Sequence, residues 1–85
     1  MKIYDYNGKK NIVGERIKIA RLKKHLSQEQ LSAQMQVENV NIEQKSLSRI
    51  EKGERFVADY ELLFFSQILN VDVNWLLTGD NTWET

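Results

Sequence analysis

Apolar residues recur along this chain at the spacing of a helix and almost nowhere at the alternation of a strand, and no proline interrupts them. A period near 3.6 lets one stripe of each segment face a shared interior, so the chain is expected to be all-α. Punctuating residues divide the pattern into five helices. The first runs from about Ile12 to His25 behind Asn11 as a cap, with Val13, Ile17 and Ala20 on its inner stripe. Ser27 and Gln30 have the spacing of a capping box, in which the hydroxyl takes the amide three residues on and the glutamine reaches back. That box opens a second helix carrying Leu31 and Met35. The period then breaks across Gln36 to Ile42. A third helix begins near Glu43 or Gln44, turns Leu47 and Ile50 inward and leaves through Gly53. Asp59 is placed to cap a fourth helix with Leu62, Phe65, Ser66 and Leu69 on one face. Asp72 is placed to cap a short fifth, with Trp75 and Leu76 inward and Gly79 at its end.

A chain of 85 residues has apolar material for one core only, so a single domain over residues 12–79 is expected, with an arm at 1–11 and a tail at 80–85. Within the arm, Asn7-Gly8 can turn a marginal hairpin between Ile3-Tyr4 and Lys9-Lys10. The absence of cysteine excludes a disulfide framework and a thiolate zinc site. No apolar run is long enough to span a bilayer, and Met1 to Ile12 lacks a secretory hydrophobic region, so a cytoplasmic protein with no membrane partner is expected. One histidine, no phosphate-cradling glycine loop and no paired carboxylates give no basis for an enzyme, and no metal or cofactor is expected. His25 is read as a surface residue. A core this small also leaves little volume for an effector pocket.

The formal net charge is zero, but the charges are segregated. Residues 1–28 hold eight lysines and arginines against Asp5 and Glu15, a balance of +6, and residues 29–85 carry −6. Such polarity permits a basic face toward phosphates and an acidic face elsewhere. It is equally compatible with Lys18, Lys23 and Lys24 solvating an amphipathic helix.

Two short helices joined by a brief connection, the second with polar residues outward, match a helix-turn-helix. The runs Gly14-Glu15-Arg16-Ile17, Leu26-Ser27-Gln28-Glu29-Gln30-Leu31, Leu47-Ser48-Arg49-Ile50-Glu51-Lys52-Gly53 and Val71-Asp72-Val73-Asn74-Trp75-Leu76-Leu77-Thr78-Gly79, with Arg21 between the first two, resemble the Xre/Cro/phage-repressor helix-turn-helix family over residues 12–79. The resemblance implies a compact five-helix bundle of the phage-repressor DNA-binding type, with the motif in helices 2 and 3. It further implies that Gln28 bonds a DNA phosphate and that Gln44, Lys45 and Arg49 face base edges, with Ser48 as a secondary base contact and Ser46 as a secondary phosphate contact. These types suit the task, since Gln can pair with adenine and Arg or Lys with guanine. Arg21 and Glu51 are implied to form an internal ion pair. By periodicity alone, Gln44, Lys45 and Arg49 would be a solvated helix face, and Gln30 is read as a cap. Lys2, Lys9 and Lys10 are either a free tail or an arm that reaches phosphates or the minor groove.

The chain departs from common members in its longer turn, Gln36 to Ile42, like a long-turn variant. Val37, Val40 and Ile42 are expected to anchor that turn, and Asn41 to cap the third helix in place of Glu43. Glu38 and Glu43 would repel phosphate if they faced DNA. The implied function is a bacterial or phage-type transcriptional regulator, more specifically a repressor on a palindromic operator in the bacterial nucleoid. A homodimer is expected through Val73, Asn74, Leu77 and Trp83, because one module this small buries little surface on DNA. The alternative from another class is an antitoxin-type module that binds both double-stranded DNA and a protein partner, such as a toxin or an anti-repressor.

Overall fold

The computed structural model describes residues 6–80, and in it five helices follow one another with no strand. They are α1 (Gly14–Lys23), α2 (Gln28–Val37), α3 (Gln44–Glu51), α4 (Asp59–Leu69) and α5 (Val73–Thr78). Helices α2 and α3 pack on each other, α1 packs on α3 and α4, and α4 also meets α2 and α5. Phe65, Ile17, Leu31, Met35, Ile42, Leu47, Ile50 and Leu76 are fully buried where these surfaces meet. Each such side chain contributes about 1.5–3 kcal/mol by leaving water. Among the described residues no helix is long and apolar enough to cross a membrane.

The helix starts follow the expected chemistry in three cases and depart from it in two. Asn11 Oδ1 accepts from the amides of Val13 and Gly14 at 3.2 and 2.8 Å, satisfying donors that the first turn leaves open. The capping box is complete, with the Gln30 amide on Ser27 Oγ at 3.0 Å and the Ser27 amide on Gln30 Oε1 at 2.8 Å. Asp72 takes the Asn74 amide at 2.9 Å. Asp59, expected to cap α4, is instead its first helical residue. Ala58 precedes it, and Glu61 reaches back to the Ala58 amide at 2.9 Å. Asn41 does not cap α3: Glu43 occupies that position and makes no side-chain cap bond.

All five exits use a residue with positive φ: His25, Asn39, Gly53, Asn70 and Gly79. After α1, α2, α3 and α4 the next amide closes a wide loop back into the last turn, Leu26 to Arg21, Val40 to Met35, Glu54 to Arg49 and Val71 to Ser66. Leu26, Val40 and Val71 bring an apolar side chain onto the core at that point, the contact that locks this type of exit. After α3 the corresponding residue is the exposed Glu54.

The long turn is built from the same device. Val40 and Ile42 are buried, and the Ser32 hydroxyl donates to the Ile42 carbonyl. Val37 does not anchor it. It is the last residue of α2 and lies 79% exposed, because the helix continues two residues beyond the buried stripe of Leu31 and Met35.

Candidate nucleic-acid interface

Helix α3 is fastened by one side and displays the other. Leu47 and Ile50 are fully buried and Glu51 nearly so, whereas Gln44, Lys45, Arg49 and Lys52 are exposed, with Ser46 and Ser48 half-buried at the margins. Lys45, Arg49 and Lys52 fall at i, i+4 and i+7, one continuous stripe. Only four basic residues lie beyond position 28, and three of them are on this stripe. The fourth, Arg55, is paired with Glu61 at 3.1 Å.

A chain of hydrogen bonds holds the start of the stripe to the interior. Arg21 of α1 meets Glu51 at two points, Nε to Oε2 at 2.7 Å and Nη2 to Oε1 at 3.0 Å, and its Nη1 donates to the Leu26 carbonyl at 2.9 Å. The two side chains are only 8% and 4% exposed. Gln28 Nε2 donates to the same Glu51 Oε1 at 3.0 Å, and Gln28 Oε1 accepts from Gln44 Nε2 at 2.6 Å. The carboxylate fixes the direction of the relay: it only accepts, so Gln28 must turn its nitrogen to Glu51 and its oxygen to Gln44. Gln44 keeps a second N–H and its carbonyl oxygen uncommitted among the described residues. That donor and acceptor pair is the complement of the adenine edge in a major groove.

The sequence model of the helix-turn-helix domain family matches residues 14–82. The chain belongs to that family. The helix-turn-helix domain is found in Xre/Cro-type regulators, so the exposed face of α3 belongs to a DNA-binding domain. No curated protein and no solved structure matches the chain.

Residues 9–11, just before this helix-turn-helix domain, are fixed to the end of α3. Tyr6 and Lys9 exchange backbone hydrogen bonds at 2.8 and 3.0 Å around Asn7 and Gly8, both with positive φ, the geometry of a tight two-residue turn. The expected partners Ile3 and Tyr4, like Lys2 and Trp83, lie outside the described residues. The Lys10 amide donates to the Gly53 carbonyl at 2.8 Å, and the Lys10 ammonium stands 5.6 Å from the centre of the Phe56 ring. Asn11 Nδ2 donates to the carbonyls of Ile50 and Arg55 at 3.0 and 2.8 Å. A glycine at position 14 is required by the same junction, because a Cβ there would stand 2.0 Å from the Ile50 carbonyl oxygen.

Sequence reasoning missed Lys52, although its spacing from Lys45 and Arg49 was visible. Two of the cations in the +6 balance are engaged at helix ends: Arg16 Nη1 bonds the Leu76 carbonyl at 3.2 Å, and Lys24 Nζ the Ile68 carbonyl at 3.4 Å. Cations at those positions offset the carbonyl ends of α5 and α4. Glu38 and Glu43 are both exposed, Glu43 directly before Gln44. Of the residues expected at a dimer contact, Val73 is half-buried, Asn74 exposed and Leu77 39% exposed, all on α5.

Proposed function

We propose that the chain is a sequence-specific transcriptional repressor that occupies a palindromic operator as a homodimer. In this reading Gln44, Lys45 and Arg49 reach base edges, Ser48 assists them, and Gln28, Ser46, Lys9 and Lys10 contact phosphates. The supporting observation is the division of α3 into a buried face and a rigidly held cationic face opening with an oriented glutamine. The dimer would use Val73, Asn74, Leu77 and Trp83, and repression would need nothing beyond occupancy of the operator.

Selection of bound duplexes from a random-sequence pool tests the reading, the expected product being a two-fold symmetric site. Gln44→Ala and Arg49→Ala should each relax preference at particular base pairs by about 1–3 kcal/mol while helicity is retained. Gln28→Ala should weaken all sites and also soften the preference read by Gln44, whose amide it holds. Selection that returns no preferred sequence, or variants that lower every affinity equally, would remove base reading by α3.

The exposed Tyr60 and Leu63, one turn apart on α4, favour a second reading in which the same domain also docks a toxin or anti-repressor. Protection of cells from a toxic neighbouring gene product by a chain mutated at Gln44 and Arg49 would select that reading.

A further inference from the structure

An open cleft lies between the N-terminal turn and the carboxyl end of α3. Lys9, Lys10, Arg49 and Lys52 line it, with Glu54 as the one carboxylate and Gly53 at its floor. Four cations against one anion in a concave wall repel one another and raise the local potential for an incoming anion. The carbonyl end of α3 offsets part of that repulsion, but a helix terminus carries only about half an elementary charge. Among the described residues no ion pair holds the cations in place. They are held by backbone bonds, Lys10 to Gly53, and by packing, since the stem of Lys9 lies so close over Gly53 that a Cβ there would be 2.8 Å from Lys9 Cδ. This covering stands where the other three wide-loop exits have an apolar side chain and α3 has Glu54.

We infer that this cleft takes one backbone phosphate of the DNA duplex, beside the groove that α3 enters. The N-terminal turn is then a preassembled phosphate clamp and not a free strand that searches for the minor groove. The inference rests on the proposed role of α3 and adds Lys52 and the docked turn to it. Arg49 borders both surfaces, so a phosphate in the cleft fixes how far along the groove the bases meet Gln44 and Lys45. Such a contact is indifferent to sequence and sensitive to salt, because each neutralised phosphate releases condensed counterions.

The test measures the dependence of affinity on salt for the full chain, on a duplex recovered by selection and on an unselected duplex of equal length. Lys9→Met keeps the stem over Gly53 and removes the charge, Lys52→Ala removes the opposite wall, and Lys9→Arg serves as the conservative control. Lys9→Met and Lys52→Ala should each lower the logarithmic salt slope by about 1 on both duplexes, with base preference unchanged. Lys9→Arg should keep the slope, and Glu54→Gln should raise affinity on both duplexes. Unaltered slopes in Lys9→Met and Lys52→Ala, with base preference still sensitive to Gln44→Ala, would overturn the clamp and the phosphate contact of Lys9 while leaving base reading by α3 in place. A wild-type chain that binds neither duplex would overturn the clamp together with the proposed function.

Discussion

Arg21 and Glu51 show how one residue pair can serve both the interior and the interface. Both lie within the packed junction of α1 and α3, and each also bonds a neighbour: Arg21 donates to the Leu26 carbonyl on one side, and Glu51 accepts from the Gln28 amide on the other. Removing one partner strands the other charge where water does not reach, so Arg21→Ala should cost about 3–5 kcal/mol. Thermal melting checks this. The double change Arg21→Met with Glu51→Leu should recover most of that loss, because two well-packed apolar side chains replace the pair without leaving a charge. The same double variant leaves Gln28 with no carboxylate to orient it, so its DNA binding should stay impaired although its stability returns. The family resemblance alone made the pair legible in the sequence. The relay onward to Gln44 was not, since Gln28 and Gln44 are sixteen residues apart and only the packing of α2 on α3 brings them to 2.6 Å.

At the scale of the helix, starts were easier to read than exits. Ser27 and Asp72 announce themselves because a side-chain oxygen must sit at a set offset from the amide it caps. Exits depend on a backbone conformation that only glycine signals clearly. Gly53 and Gly79 were therefore visible, while His25, Asn39 and Asn70 were not. That difference predicts a stabilising substitution. His25 holds φ at 58° with its side chain exposed, and His25→Gly removes the steric cost of that conformation. A gain of about 1 kcal/mol is expected, or roughly 4–8 °C in melting temperature for a domain of this size. An unchanged or lowered midpoint would show that the ring makes a compensating contact. Conversely, Gly14→Ala should be severely destabilising, since backbone, not a flexible side chain, fills the space beside it. The misreading of Val37 has a related origin: a valine at the end of an amphipathic stretch looks apolar in sequence, but its side of the helix is decided by where the chain turns.

For the whole molecule, the charge asymmetry along the sequence proved a poor guide to the surface. Of the basic residues before position 28, Arg16, Arg21 and Lys24 bond carbonyls or a buried carboxylate. The exposed cationic stripe on α3 comes from the half of the chain whose balance is negative. What matters for a nucleic acid is which cations share a face. The proposed dimer is argued at this scale. With Leu77 exposed and Val73 half-buried on α5, sedimentation at rising concentration should show association, and Leu77→Asp should suppress it with little change in the fold. A species that stays monomeric both free and on the selected duplex would remove the dimer while leaving base reading in place.

The side chain of Asn11 closes this scaffold on itself. With one amide group it starts α1, takes hold of the last turn of α3 and secures the connection to α4. The two motif helices are consequently not a transplantable unit. A peptide cut to residues 27–53 would carry every proposed base-reading side chain, yet it would lack the residue that seals its carboxyl end. Any graft of this specificity onto another scaffold should therefore import the exposed positions of α3 and leave the helix itself behind.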